Sequence, residues 1–279
     1  MSAAAGLAQR FATARGDERL ALLEGFHALK HALRFGAAVE VVVARDVEAL
    51  EAMAARLAPD LRGRFRALAR EVAEEELARL VPHVPRTGVV ALARRPAFDA
   101  SAVAADRGRP VVLLEDPRDL GNVGAVVRVA AAADAAAVVT TGPSDPWDPA
   151  ALRGSAGLHY ALPVGRLTAL EAGGPPESRA RPDAPEPSAP AEPPASGGRP
   201  LIALDPEGDL LRPAALPPGA LLAFGTERDG LSEDLLARAD ARLRLPMRPG
   251  VSSLNLATAV AAVLFGARLA AEVESGSDV

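Results

Sequence analysis

Apolar residues in the first third of the chain fall in short runs that alternate with amphipathic stretches. Leu20 to Gly25 (LALLEG) reads as a strand, Phe26 to Gly36 as a helix closed by its glycine, and Val39 to Ala44 as a second strand. Asp46 can cap a helix over Val47 to Ala58. Arg64 to Leu68 reads as a short strand, Ala73 to Leu80 as a helix, and Gly88 to Ala93 (GVVALA) as a strand after the turn at Pro85 to Gly88. Strands alternating with helices predict a small α/β layer domain over residues 1–95.

Pro96 to Pro110 has no sustained period and carries Pro and Gly at its ends, which predicts an inter-domain linker over 96–109. A second α/β pattern occupies 110–279. Val111 to Glu115 reads as a buried strand, Asn122 to Ala133 as a helix, Ala136 to Thr141, Leu201 to Leu204 and Leu221 to Phe224 as strands, and Ser252 to Val273 as a long C-terminal helix. Strands that are apolar throughout predict a mostly parallel sheet covered on both faces. Gly173 to Pro200, dominated by Pro, Ala, Ser and Glu, interrupts this domain; it cannot bury a core and is expected to be a disordered surface insertion.

Composition refines this picture. A length of 279 residues admits two modest domains, and with 49% hydrophobic but only 3% aromatic residues the cores are expected to be aliphatic. The net charge of −5 weighs against a polyanion ligand, although the acidic residues gather at Glu71 to Glu76, in the Pro-rich stretch, and at Glu272, Glu274 and Asp278. The absence of cysteine excludes disulfides, thiolate zinc sites and cysteine nucleophiles. With no signal-type N-terminal core and no apolar run long enough to cross a bilayer before charges or prolines interrupt it, the expectation is a soluble, cytoplasmic protein without a membrane partner.

Three segments of the second domain place small or polar residues where a strand meets a helix, the position at which open α/β sheets bind ligands. In LLEDPRDLGNVGAVVRV, Asp116-Pro117 ends a strand, Asn122 sits about where an N-cap belongs, and Arg128 lies one turn beyond Gly124 as the sole charge of an apolar helix. Such a guanidinium must meet a carboxylate, a phosphate or water, or snorkel to the helix edge. In LLAFGTERDGLSEDLL, a strand runs into Gly225, Glu227 and Gly230, glycines that could let a planar ligand approach bare backbone, and Ser232 caps a helix. In LRLPMRPGVSSLNLATAV, Leu245 is extended before Pro246, Ser252 or Ser253 can cap the long helix, and Asn255 lies in its first turn.

Taken together and in this order, Asn122-x-Gly124-x-x-x-Arg128, Gly225-x-Glu227-x-x-Gly230-Leu231, and Leu245-Pro246-Met247 followed by Ser253-Leu254-Asn255 closely resemble the three motifs of the SpoU/TrmH family of RNA ribose methyltransferases. Arg153-Gly154-Ser155-Ala156-Gly157 leading to Leu162-Pro163-Val164 resembles the stretch between the first two motifs. The resemblance covers most of residues 110–272. It implies a C-terminal knotted parallel-sheet α/β/α fold of the SPOUT class, with a trefoil knot, preceded by a small L30e-like α/β domain that binds RNA substrate.

The resemblance also implies transfer of a methyl group from S-adenosyl-L-methionine to a ribose 2'-hydroxyl of RNA, ribosomal RNA first and transfer RNA second, by a homodimer joined through the C-terminal domain. Small residues Ala257, Ala259, Ala261 and Ala262 would suit that interface. Arg128 is then expected to accept the hydroxyl proton or stabilise its charge, with Asn122, Glu227, Ser253 and Asn255 as further catalytic residues. Thr140, Gly225, Leu245, Met247 and Leu254 are expected to hold the cofactor. His27, His31, His83 and His159 lack metal-ligand spacing and are expected to be surface or RNA-proximal, with no metal. No glycine-rich G-x-G-x-x-G loop follows any strand, which argues against a nucleotide-dependent oxidoreductase. A non-catalytic RNA-binding paralogue would not need Asn122, Arg128, Glu227 and Asn255 together.

Overall fold

A computed structural model describes residues 3–167, 198–226, 229–251 and 253–276. The chain runs α1 (Ala3–Ala14), β1 (Leu20–Glu24), α2 (Phe26–Arg34), β2 (Val39–Ala44), α3 (Val47–Leu57), α4 (Arg62–Leu68), β3 (Ala69–Glu71), α5 (Glu74–Leu80), β4 (Val89–Arg94), α6 (Ala100–Ala105) and β5 (Val111–Leu114). It continues through α7 (Leu120–Ala132), β6 (Ala137–Thr140), α8 (Pro149–Gly154), β7 (Val164–Arg166), β8 (Leu201–Leu210), β9 (Leu221–Phe224), α9 (Glu233–Arg238), β10 (Ala241–Arg244) and α10 (Leu256–Gly276). Residues 173–197 of the expected insertion lie outside the described residues.

Two compact units emerge, and their boundaries cut across the expected ones. The first joins residues 1–98 to Asp119–Ala132 and Asp145–Val164; the second comprises Asp99–Arg118, Ala133–Ser144 and Gly165–Val279.

In the first unit, the sheet order is β1-β4-β2-β3, antiparallel at β1–β4 and β4–β2 and parallel at β2–β3. Leu22, Val43, Val90 and Leu92 pack with Phe11 of α1 and with Leu77 and Leu80 of α5. The expected aliphatic core needs correcting here: Phe11, Phe26 and Phe65 are among the largest fully buried side chains, and Phe26 stacks on Phe65 with centroids 5.1 Å apart. That stack explains a second departure. Arg64 to Leu68, read as a strand, is helix α4, because a helix directs Phe65 into the core while Arg66 stays exposed to pair with Glu51.

Glycines decide how α7, α8 and α2 meet in this unit. A β-carbon on Gly124 of α7 would lie 2.1 Å from the Ala151 carbonyl oxygen of α8, and one on Gly154 would lie 2.7 Å from the Gly121 oxygen, so the two helices touch through bare backbone. Gly157, at φ 78°, is pressed the same way against α2, with a hypothetical β-carbon 2.5 Å from the Ala28 oxygen. The His31 ring contacts the Ala156 oxygen at 2.7 Å, and Arg153 pairs with Glu24 beside this contact.

Beneath this corner His159, expected at the surface, is wholly buried. Its Nε2 lies 2.8 Å from the Pro146 oxygen and its Nδ1 2.7 Å from Ser155 Oγ, while Trp147 packs on its ring at 5.0 Å.

The second unit is built on a sheet of order β10-β8-β9-β5-β6-β7, parallel from β10 through β6. Its register aligns Leu204, Phe224, Leu114 and Thr140 across one carboxyl edge. The stretch expected to be a featureless linker contains α6, capped by the Asp99 side chain accepting from Ala102 N. Arg199, counted with the insertion in the sequence, is instead buried. Its guanidinium donates to the carbonyls of Val103 (2.7 Å), Asp106, Arg109 (2.9 Å) and Gly219 (2.7 Å), fixing the start of β8.

Among the described residues α10 is the one helix long and apolar enough to cross a membrane by length and composition, over Leu256–Val273. Within the protein its inner positions Val260, Val263 and Leu264 are buried, and Arg268 pairs with Glu272 on the outside.

Burial pulls the His159 pKa down from 6.5 to about 4. Between those values the unfolded chain takes up a proton that the folded chain refuses, so stability is fully present above about pH 6.5 and falls as pH drops towards 4. The slope is up to about 1.4 kcal/mol per pH unit. Urea midpoints measured across this window are expected to fall more steeply for the wild type than for His159→Gln; equal slopes would refute the assignment.

Candidate functional site

The carboxyl edge of the parallel sheet opens because β8 parts from its neighbour. Arg242 of β10 pairs with Ala203, but the next residue, Leu243, pairs with Asp209, so the intervening β8 residues leave the ladder. Pro206, without an N–H to donate, stands in this excursion. Gly208 brings the strand back, since a β-carbon there would lie 2.5 Å from the Arg242 carbonyl carbon.

The result is a cleft of about 360 Å³, bounded by Leu204, Asp205 and Pro206 of β8, by Phe224, Gly225, Thr226 and Gly230 after β9, and by Leu243 to Leu245, Met247, Ser253 and Leu254 after β10. The volume lies at the small end of ordinary ligand pockets, and the lining is mostly apolar with a few polar groups.

Two loops shape its mouth. After β9, Thr226 and Gly230 exchange both backbone hydrogen bonds at 3.1 Å, closing a tight loop. Gly225 is required by that closure: a β-carbon on it would lie 2.0 Å from the Gly230 carbonyl carbon. The bare backbone anticipated as open to a ligand is thus partly taken up by the loop itself. Ser232 follows as the cap of α9, and the Glu115 carboxylate at the end of β5 accepts from both Ser232 N (2.7 Å) and Ser232 Oγ (2.6 Å), tying the loop to the sheet.

After β10, Asn255 caps α10, its Oδ1 accepting from Ala257 N (3.0 Å) and Thr258 N (3.3 Å). The cap role anticipated for Ser252 or Ser253 therefore belongs to Asn255, and α10 starts at Leu256. Ser252 lies outside the described residues.

At the ends of β5 and β6, Asp116 adopts a left-handed φ of 42°, its N–H donates to Thr141 Oγ1 at 3.0 Å, and Arg118 pairs with its carboxylate at 2.7 Å. Gly142 is needed opposite, where a β-carbon would meet Asp116 Oδ1 at 2.3 Å.

Of the anticipated cofactor residues, Gly225, Leu245, Met247 and Leu254 line the cleft. Thr140 does not: it is fully buried at the end of β6, with no hydrogen-bond partner for its hydroxyl among the described residues. Ser253 lines the cleft, Asn255 caps the adjoining helix, and Glu227 lies outside the described residues. Asn122 and Arg128 belong to the first unit, on α7. Asn122 is half-buried in the first turn, where Asp119 supplies the cap in its place by accepting from Asn122 N at 3.0 Å. Arg128 is exposed, and no carboxylate among the described residues pairs with it. Leu204, Asp205, Pro206 and Phe224 also line the cleft, though no motif marks them. An Asp-Pro pair closing an apolar run, already noted at Asp116-Pro117, was the available signal.

A parallel α/β sheet with a largely apolar cleft at its carboxyl edge defines a protein that holds a small molecule on strand-end loops. The chain belongs to the SpoU rRNA methylase family, whose model matches residues 109–172 and 191–265. It is 32% identical over 205 residues to an uncharacterised tRNA/rRNA methyltransferase of Synechocystis, covering 71% of this chain and 66% of the relative. It is 30% identical over 183 residues to a 23S rRNA (uridine(2479)-2'-O)-methyltransferase of Streptomyces viridochromogenes, covering 64% of this chain and 59% of the relative. The chain thus spans less than two thirds of the length of these curated relatives. A crystal structure of an RNA 2'-O ribose methyltransferase superposes with a TM-score of 0.69 at 26% identity, covering 96% of each chain.

A double-mutant cycle tests the loop anchor. Glu115→Ala and Ser232→Ala are each expected to lower stability, with a coupling of about 1 kcal/mol between them in urea denaturation; strictly additive losses would remove Glu115 from the loop's support.

Proposed function

We propose that this protein is an S-adenosyl-L-methionine-dependent RNA 2'-O-ribose methyltransferase, acting on ribosomal RNA in preference to transfer RNA, in the cytoplasm. The observation that carries the reading is the cleft, in which residues of the second and third motifs, Gly225, Leu245, Met247, Ser253 and Leu254, line one cavity. Its apolar side chains and loop backbone suit an adenosyl group. When bound, such a cofactor supplies an electrophilic methyl group on a sulfonium.

The chain's own residues then bind and orient. Leu245, Met247 and Leu254 exclude water around an adenine, whose edge lies against the backbone at Gly225. Ser253 adds a hydroxyl at the rim, and Asn255 holds the Ser253–Leu254 segment in place by capping α10. Arg128, permanently charged and exposed, is the group suited to a substrate phosphate or to the charge developing on a ribose oxygen. Asn122 and Glu227 keep the roles that the family motifs imply.

The full chain, incubated with methyl-labelled S-adenosylmethionine and separate ribosomal and transfer RNA fractions, is expected to yield a 2'-O-methylated nucleoside in one fraction. Arg128→Ala is expected to lower kcat about 10²- to 10⁴-fold with cofactor affinity by calorimetry unchanged. No transfer and no cofactor binding in the wild type would leave a non-catalytic RNA-binding protein.

We also infer a homodimer through the second unit. The outward face of α10 carries Phe265, Leu269 and Val273 at successive turns, 37%, 60% and 69% exposed, a larger apolar stripe than the anticipated alanines, of which Ala257 is buried within the fold. A dimeric mass in solution is expected for the wild type and a monomeric one for Leu269→Glu. A monomeric wild type would overturn the inference.

A further inference from the structure

Helix α2 carries one titratable or basic residue after another along a single face. His27, Lys30, His31 and Arg34 stand at i, i+3, i+4 and i+7, while Phe26, Leu29, Ala32 and Leu33 are buried and no acidic residue occurs within the helix. A chain of net charge −5 thus concentrates positive charge on a helix whose seat is fixed closely: Gly157 admits the Ala28 backbone, His31 contacts the Ala156 oxygen, and the turn at Leu158–Tyr160 packs on both α2 and α7. Since α7 is locked to α8 through Gly124 and Gly154, α2 and the α7 face bearing Arg128 belong to one rigid corner of the first unit.

The cations at this corner are in electrostatic contact. Lys30 and Arg128 both push the His27 pKa down, after the larger effect of partial burial, and Arg34 and Arg128 act likewise on Lys30. The neighbouring carboxylates are engaged, Asp60 by Arg34 at 2.7 Å, from where it also favours the charged form of Lys30, and Glu24 by Arg153. Lys30 and Arg128 have no ion-pair partner among the described residues. Like charges held together by packing and only partly offset, by Asp60 beside Lys30, form a site for an anion.

We propose that His27 and Lys30 of α2 join Arg128 of α7 in a cradle for backbone phosphate of the substrate RNA, making α2 a positioning element for the strand that carries the target ribose. The proposal deepens the methyltransferase reading and rests on it for the identity of the strand; the anion site itself does not. Lys30 supplies charge. His27, neutral at pH 7, supplies a hydrogen bond to a phosphate or ribose oxygen.

Full-length Lys30→Ala, Lys30→Arg and His27→Ala are compared with wild type for binding a fluorescein-labelled single-stranded RNA oligonucleotide across a salt series. Lys30→Ala is expected to weaken binding about threefold to tenfold and to lower the salt slope by about 0.7, the share of one phosphate contact on a single strand. Lys30→Arg is expected to restore both. His27→Ala is expected to weaken binding with the slope unchanged. In turnover, the KM for RNA is expected to rise with kcat and cofactor affinity held. Unchanged RNA affinity and slope in folded Lys30→Ala would overturn the cradle even if methyl transfer is intact; a wild type that binds RNA through Lys30 but transfers no methyl group would overturn the activity and leave the cradle standing.

Discussion

At Gly124 the backbone of α7 meets the Ala151 carbonyl of α8 with no side chain between them, and at Gly154 the contact is returned. Much of the first unit follows from that approach. It brings α8 and the turn after it close enough for Gly157 to receive α2, and so decides which face of α2 stays open. A methyl group at any of these glycines would overlap backbone, which cannot move aside as a flexible side chain can. Gly157 is separated by over a hundred residues of chain from Ala28, the α2 residue it receives, so a residue that looks like loop punctuation acts as a long-range packing constraint.

The second unit depends on a comparable device used to the opposite end. Where Gly124 brings helices together, the excursion of β8 around Pro206 holds two strands apart, and Gly208 ends it. The cleft is the space so created. Its floor is the end of a parallel sheet, and its walls are the loops after β9 and β10, each pinned at its far end: one through Ser232 to Glu115, the other through Asn255 to the first turn of α10. Loops fixed at both ends keep a binding surface formed in advance and reduce the ordering cost of a ligand.

Short apolar runs made β1, β2, β4, β5, β6 and β9 legible in the sequence, most cleanly at β5 and β6, which are buried along their whole length. What failed was decided at a distance. Arg64 to Leu68 became helical because Phe65 stacks on Phe26, a residue far back in the chain. The stretch taken for a linker acquired α6, which Asp99 caps and whose Val103 carbonyl Arg199 holds from the far side of the insertion. Asn122 and Asp119 are equally good caps by type, and only the structure chooses Asp119. The three motifs marked the cleft-lining Gly225, Leu245, Met247, Ser253 and Leu254 but gave no sign that Thr140 would be sealed inside the sheet. The basic face of α2 was present in the spacing of His27, Lys30, His31 and Arg34, yet its proximity to Arg128 came only with tertiary structure.

Arg199 lies two residues before β8 begins at Leu201, and its four carbonyl partners come from α6 and its C-terminal end, from the approach to β5 and from the turn before β9. The chain is therefore re-anchored just as it returns from the Pro-rich segment. The groups that clamp Arg199 all lie outside residues 168–197, so the start of β8 is held by parts of the chain that the Pro-rich segment does not supply. Such an arrangement uncouples the growth of an insertion from the geometry of the cleft, and offers a place where a tag or a foreign domain could be spliced into this chain without disturbing its sheet.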